Sequence, residues 1–197
     1  LLIFSIYFAL YLAEAGLLIL QEINEHTVKK EKEKISSVEQ KSKFEYFLQK
    51  KKSGSYSLQF APLDHTEILD NEFIPLGGKS NSLTIYCNES GYFSEFLSDR
   101  YGFNNPDEEW DKDNIKYLFF GDSFTHGACV NRPNDIPSNF RGKIKENSSV
   151  INLGWGGDGP LLQLAKLREY ANLKKIENII WIYYEYNDFA DLENELK

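Results

Sequence analysis

Three apolar runs in the second half of the chain constrain its fold more than any other feature. They are IKYLFFGDS at 115–123, SVINL at 149–153 and ENIIWIYYEYND at 177–188, and each ends among glycine or polar residues. Continuous apolar runs of this length are typical of strands in a parallel sheet that is covered on both faces. Residues 159–173, between the second and third runs, have leucines at helical spacing. The pattern predicts an α/β domain in which crossover helices connect parallel strands.

Length and charge narrow the class of protein. A chain of 197 residues suits one domain of ordinary size plus an anchor. The net charge of -8 disfavours nucleic acid as a partner, because a nucleic-acid surface needs clustered Lys and Arg. The chain contains no Met and ends in a charged, helix-like run, so we expect it to be a piece of a longer protein.

We predict four segments in chain order. An apolar stretch at Leu1–Leu20 has the length of a transmembrane helix and is interrupted by Glu14; a buried helix and a signal-peptide remnant are the alternatives. Lys and Glu are interleaved through much of 21–55, which indicates a charged helical stalk. Frequent turn-forming residues in 56–113 predict an extended lead-in that packs on the α/β domain. Residues 114–197 are the N-terminal part of that domain.

Cys87 and Cys129 are the two cysteines of the chain. An even pair predicts a disulfide in an oxidising compartment, with two buried free thiols as the alternative. Neither cysteine has metal-ligand spacing with a histidine or another cysteine, so we predict no metal and no cofactor. Together, the bridge and the apolar segment Leu1–Leu20 predict a membrane-anchored protein whose catalytic domain is extracytoplasmic, in the periplasm or at the cell surface.

Polar residues that follow the strands are the candidate functional residues, because ligands of open α/β sheets bind beyond the carboxyl ends of the strands. Ser123 precedes a predicted helix, whose N-terminus stabilises the negative charge of a nucleophile; a plain N-cap serine is the alternative. The glycines of 154–159 either let backbone amides approach a substrate or form a tight turn. Asn187 either donates its side-chain amide to an oxyanion or is an ordinary loop residue.

FFGDSFTHG, NLGWGGD and YEYND resemble, in this order, three sequence blocks of the SGNH/GDSL hydrolase family, and the resemblance covers about 116–192. It implies a three-layer, flavodoxin-like parallel sheet with flanking helices. It also implies that Ser123 is the nucleophile and that the Gly157 backbone amide and the Asn187 side chain bind the oxyanion. Tyr186 stands where the family more usually has glycine.

The same resemblance implies a function and shows what is missing. The family's Asp and His, three residues apart near its C-terminus, have no counterpart here, so we expect both beyond Lys197. His126 follows Ser123 closely but has no visible carboxylate to orient it, as a catalytic triad requires. SDRYGFNNPDEEW at 98–110 is similar to a segment that often precedes the first block in membrane-linked bacterial members acting on envelope glycans or acyl chains.

The implied function is therefore serine-dependent ester hydrolysis or acyl transfer. The expected substrate is a small acyl ester or an acylated envelope glycan, with O-acetyl groups preferred. The alternative from another class is a non-catalytic glycan-binding or assembly subunit that keeps the fold. The residues do not indicate an acyl group, an acceptor or an oligomeric state.

Overall fold

The structure is a computed structural model that describes residues 42–62, 74–89, 91–144, 148–171 and 175–197, and a few positions between 11 and 30. The chain divides into two compact units, Leu1–Glu45 and Tyr46–Lys197. The described positions of the first unit are helical. The second unit contains the strands and the candidate site.

A helix and a small mixed sheet come first in the chain. Residues 42–51 form helix α1. The strands of the mixed sheet have three residues each, and they are β1 Tyr56–Leu58, β2 Leu83–Ile85 and β3 Glu95–Leu97. Strand β1 pairs with β2 in parallel, and β2 pairs with β3 antiparallel. A 3-10 helix at Asp107–Asp111 leads into the second sheet.

The second sheet is parallel and follows from the three apolar runs. Its strands are β4 Asn114–Gly121, β5 Ser149–Asn152 and β6 Lys175–Ile182, in the spatial order β5-β4-β6. The helices of this part are α2 Ser123–His126, α3 Ile136–Arg141, α4 Pro160–Tyr170 and α5 Asp188–Glu195. The carboxyl ends of β4, β5 and β6 lie at one edge of the sheet because the strands are parallel, and this edge carries the candidate site.

One hydrophobic cluster joins the two sheets. Its fully buried members include Phe103 from the lead-in, Leu118 from β4 and Trp155 from the loop after β5, and Tyr86 and Phe96 extend it to the mixed sheet. Burial of such large side chains contributes roughly 1.5–3 kcal/mol each relative to their exposure to water. The lead-in therefore shares the core of the parallel sheet and does not have a core of its own.

Side chains of the lead-in also cover the free edge of β5. Asn105 Oδ1 accepts a hydrogen bond from the Asn152 amide at 2.8 Å, and Asn105 Nδ2 donates to the Asn152 carbonyl at 2.9 Å, as a neighbouring strand would. The buried Asp99 carboxylate fixes this arrangement, since it accepts from Asn105 Nδ2 at 2.8 Å and from Trp110 Nε1 at 2.7 Å. Residues 98–110 are thus structural in the described chain.

The predicted membrane anchor and the predicted fold class need correction. Most of Leu1–Leu20 lies outside the described residues, and no helix in the part of the chain that the structure describes is long and apolar enough to cross a bilayer. Glu14 interrupts the apolar stretch, and a span needs about 20 consecutive residues that are mostly apolar. The same finding contradicts the predicted membrane-anchored localisation, while the predicted membrane partner stays a prediction.

The predicted sheet also differs from the observed one. The prediction has a single flavodoxin-like sheet in three layers, whereas the structure has two small sheets, one mixed and one parallel. The short pairs of β1, β2 and β3 are set by backbone contacts between distant segments, which the lead-in sequence does not reveal. Most of the predicted stalk at 21–55 lies outside the described residues.

Candidate active site

Ser123 begins α2, directly after β4 ends at Gly121. Gly121 has a φ of 149°, a backbone conformation that favours glycine, and a Cβ there would collide with the Ile182 carbonyl and the Thr125 hydroxyl. This close approach brings the turn formed by Gly121, Asp122 and Ser123 against the end of β6. Because α2 has only four residues, its dipole contributes little to the stabilisation of negative charge, contrary to the sequence-based expectation.

The structure brings the three predicted site residues together around the Asp122 carboxylate. Asp122 Oδ1 accepts a hydrogen bond from the Gly157 amide at 2.6 Å, and Oδ2 accepts from Asn187 Nδ2 at 2.6 Å. The Ser123 hydroxyl donates to Oδ2 at 3.3 Å. Asp122 itself is buried, with 5% of its surface exposed. A backbone amide, a side-chain amide and a serine hydroxyl therefore point at one small anion.

Asp122 is the functional candidate that the sequence reasoning did not single out. In the sequence, Asp122 lies between Gly121 and Ser123 at the end of an apolar run, and this position alone assigns it no role. The sequence shows that Asp122 is adjacent to Ser123. Its contacts with Gly157 and Asn187, however, depend on residues that are 35 and 65 positions away along the chain. Such contacts cannot be read from local spacing.

Gly157 owes its position to the loop between β5 and α4. Its φ of 88° lies in the left-handed region, and a Cβ there would come within 2.6 Å of the Ala61 Cβ. Upstream, Asn152 Oδ1 accepts from the Gly154 amide at 2.8 Å, and the Trp155 amide donates to the Gly121 carbonyl at 3.2 Å. The loop is therefore tied to the turn formed by Gly121, Asp122 and Ser123, and the Gly157 amide has a defined direction.

Asn187 immediately precedes α5, but its side chain does not cap that helix. Its Nδ2 donates to Asp122 at 2.6 Å and to Asp191 Oδ2 at 3.3 Å. The two N–H groups of this amide are thus directed toward two carboxylates.

Three carboxylates are crowded beside Ser123. Asp122, Asp188 and Asp191 each place an oxygen within 4.8 Å of the others. Burial raises the pKa of Asp191 to about 6, and the charges of Asp122 and Asp188 act in the same direction. Burial also raises the pKa of Asp188, although the Tyr184 amide donates to its Oδ2 at 2.5 Å and opposes the shift. The site is electronegative before any substrate enters.

These carboxylates are also the residues that could hold a cation, because hard cations prefer oxygen ligands. We predicted no metal from the sequence. Asp122 already accepts three hydrogen bonds, from Gly157, Asn187 and Ser123, which leaves it little capacity for a metal. The cluster alone carries no metal assignment.

His126 has a structural place. It is fully buried, its ring stacks on Trp155 at a centroid distance of 4.5 Å, and Tyr86 lies at 4.5 Å on another side. Its Nδ1 accepts a hydrogen bond from the Gly156 amide at 3.1 Å. The imidazole therefore supports the glycine loop, which is the segment 153–159 between β5 and α4, and it does not serve Ser123 as a base. His26 and His65 lie outside the described residues.

A buried ion pair lies under the same loop and was missed in the sequence. Lys166 Nζ hydrogen-bonds to the Asp158 carboxylate, and both side chains are inaccessible to solvent. The rings of Trp155 and Phe103 flank the ammonium at 5.6 and 5.7 Å. Burial lowers the pKa of Lys166 and raises that of Asp158 to about 7. The pair joins the residue after Gly157 to α4, and no motif in the sequence indicates it.

The predicted disulfide between Cys87 and Cys129 is present, with 42 residues of sequence separation. Cys129 comes three residues after the end of α2, and Cys87 follows β2. The bridge therefore connects the mixed sheet to the segment that carries Ser123.

Exposed aromatic rings border the site. Phe124 is 55% exposed, Tyr184 is 43% exposed, and their ring centroids are 5.3 Å apart. Tyr186, which replaces the glycine expected from the family resemblance, is 75% exposed and lies 6.0 Å from Tyr184. Three aromatic faces are thus available to a ligand beside Ser123.

No protein-family model, curated protein or solved structure matches this chain. The resemblance to the SGNH/GDSL family rests on its sequence blocks alone and stays a prediction.

Proposed function

We propose that the chain carries the nucleophile and the oxyanion donors of a serine-dependent ester hydrolase or acyl transferase, similar to SGNH/GDSL enzymes. One observation carries the proposal: the hydroxyl of Ser123, the amide of Gly157 and the side-chain amide of Asn187 meet at one carboxylate. Donors in this arrangement suit the negative oxygen that develops when an acyl group is attacked.

The proposed reaction follows from these groups. Ser123 Oγ loses its proton to a base and forms a bond to the acyl carbon, while the carbonyl electrons move onto oxygen. The Gly157 and Asn187 amides hold that oxygen, and each such donor typically lowers the barrier by roughly 3–4 kcal/mol. The carbonyl re-forms as the alcohol leaves with a proton. Water or a second alcohol then attacks the acyl-serine and completes hydrolysis or transfer.

No histidine among the described residues is placed to act as the general base. His126 is enclosed by Trp155 and Tyr86 and directs its Nδ1 at the Gly156 amide. The proposal therefore requires a base from another part of the protein, which we expect to be a histidine.

The rings around Ser123 support an acylated glycan as the substrate class. Phe124, Tyr184 and Tyr186 present flat, partly polar faces to solvent. Aromatic side chains combine a large apolar face with limited conformational freedom, so they suit the C–H faces of sugar rings and short acyl chains. O-acetyl groups of a polysaccharide are our preferred substrates for this reason and because of the family resemblance.

A non-catalytic glycan-binding subunit is the second candidate. The observation in its favour is that Asp122 occupies both amide donors, so that the oxyanion position is filled in this structure. The same aromatic faces would then bind glycan without turnover.

Covalent labelling separates the two candidates. In the full chain, a fluorophosphonate probe should label Ser123, and Ser123→Ala should abolish both labelling and p-nitrophenyl acetate turnover. Ser80→Ala, which changes an exposed serine far along the chain, is the matched control and should retain both. Labelling of another serine, or none in the presence of glycan binding, would reject the nucleophile assignment.

A further inference from the structure

The Asp122 carboxylate is held by two short hydrogen bonds. Both of its carboxylate oxygens take part in 2.6 Å hydrogen bonds, one from Gly157 and one from Asn187. Hydrogen bonds to an ionised acceptor are shorter and about twice as strong as neutral ones. The two donors therefore hold Asp122 as they would hold a bound carboxylate.

Neither donor has spare capacity for a second anion. Gly157 offers a single N–H, which Asp122 accepts. Asn187 directs its amide at Asp122 and Asp191. An oxyanion must lie about 2.7–3.1 Å from such donors, which is the space that the Asp122 oxygens fill. Asp188 and Asp191 would also repel an additional negative charge beside Asp122.

The Gly157 amide is fixed by its backbone, whereas the Asp122 carboxylate can move by side-chain rotation alone. The Gly157 amide belongs to a loop tied down by the Trp155 amide, which donates to the Gly121 carbonyl, and by the buried Asp158–Lys166 pair. The Asp122 carboxylate, in contrast, turns about two side-chain bonds and can leave without a change in the backbone.

We propose that the Gly157 and Asn187 amides form an anion site whose resident ligand is Asp122, and that acyl transfer requires Asp122 to withdraw. The ligand class of the vacated site is a small monoanionic oxyanion, such as a carboxylate or the tetrahedral adduct of an acyl ester. Asp122 is then a gating residue of the oxyanion site. The inference rests on the proposed function only for its catalytic consequence, because the anion site is defined by the hydrogen bonds alone.

The first experiment measures the anion site without any activity. Asp122→Ala removes the carboxylate that accepts from the partly buried Gly157 and Asn187 amides, so the variant should melt at a lower temperature than the parent protein. Added sodium acetate should then raise its melting temperature in a saturable manner, by mass action on the folded state. The parent protein should not respond beyond the effect of sodium chloride at equal ionic strength. The double variant Asp122→Ala, Asn187→Ala should lose the acetate effect.

The second experiment measures how far Asp122 slows the reaction of Ser123 with a fluorophosphonate. Asp122→Ala should speed fluorophosphonate labelling of Ser123 by about tenfold or more, since an oxyanion donor typically changes rates by two to three orders of magnitude. Asp111→Ala is the control, because it removes an exposed carboxylate from the surface and should change neither labelling nor acetate response. If Asp122→Ala does not fold, Asp122→Asn, which keeps the shape and removes the charge, should show faster labelling.

The outcomes distinguish the two proposals. Equal or slower labelling in a folded Asp122 variant, or a melting temperature that acetate leaves unchanged in Asp122→Ala, overturns the inference. An acetate response with no labelling of Ser123 in any form supports the anion site and rejects the proposed hydrolase. Labelling of the parent protein at Ser123 without an acetate response in Asp122→Ala retains the hydrolase and rejects the gate.

Discussion

At the scale of single residues, the site consists of three hydrogen-bond donors that share one acceptor group, the Asp122 carboxylate. Gly157 contributes one N–H, Asn187 one amide and Ser123 one hydroxyl, and all three are directed at Asp122. Removal of the Asn187 or Ser123 side chain takes a donor away from the buried Asp122 carboxylate, and an unsatisfied buried polar atom typically costs about 1–3 kcal/mol. Effects on stability and on catalysis must therefore be measured separately.

Asn187→Ala should lower kcat by about two orders of magnitude with little change in KM. The reason is that a donor to the oxyanion acts mainly in the transition state. Steady-state kinetics with p-nitrophenyl acetate measures both constants, and a melting curve shows whether the variant is folded. Asn178→Ala, on exposed β6, is the control. An increase in KM alone would place Asn187 in substrate binding.

The sequence indicated part of this site. Ser123 and Asn187 could be named because each follows a strand, and the ends of parallel strands meet at one edge. Gly157 was distinguished from the other glycines of 154–159 only by the family resemblance. Asp122 could not be assigned a role, since its side-chain direction depends on the local backbone, with φ -89° and ψ -147°. The structural role of His126 could not be predicted either, because only the tertiary packing shows that Trp155 and Tyr86 enclose its ring.

At the scale of secondary structure elements, apolar runs predict the strands but not their burial. The residues of β5 are buried, whereas most of β6 is exposed, and Trp181 and Ile179 on it are each 51% exposed. Strand β6 pairs with β4 on one side and is an edge strand in the described chain. The apolar run therefore predicts the strand, but the packing of neighbouring elements determines how much of the strand is buried.

Helices α4 and α5 are joined by a contact that no helix pattern predicts. Glu195, in the last turn of α5, accepts hydrogen bonds from the Leu161 and Leu162 amides at 2.8 and 3.0 Å. These amides belong to the first turn of α4, where four N–H groups lack partners within the helix. Gly159 has no side chain of its own to serve as the cap, and Glu195 fills that space. One carboxylate thus caps α4 and fixes α5.

Glu195→Ala should lower the free energy of unfolding by about 1–2 kcal/mol, the usual effect of losing a capping group. Urea denaturation of the folded protein measures the loss. Glu193→Ala removes an exposed carboxylate from the same helix and should change stability by less than about 0.5 kcal/mol. Equal effects of the two variants would show that charge, not capping, stabilises this pair of helices.

At the scale of the whole second unit, the lead-in and the parallel sheet are held together at several points beside the site. Trp155 Nε1 donates to the Phe60 carbonyl at 2.7 Å, and Gln59 Nε2 donates to the Gly156 carbonyl at 3.3 Å. The disulfide between Cys87 and Cys129 adds a covalent connection. The glycine loop is therefore supported from both sides, by the lead-in and by α4.

Replacement of Cys87 and Cys129 by serine should lower the free energy of unfolding by roughly 4 kcal/mol, because the bridge closes a loop of 42 residues and restricts the unfolded chain. The denaturant dependence should become steeper, since the unfolded state without the bridge exposes more surface. Reduction of the parent protein with dithiothreitol should reproduce the loss, which separates the bridge from the serine substitutions. Because Cys129 lies close after α2, Ser123 should also be labelled more slowly by a fluorophosphonate. A loss below about 1 kcal/mol, with unchanged labelling, would show that the hydrogen bonds around Trp155 hold the two sheets together without the bridge.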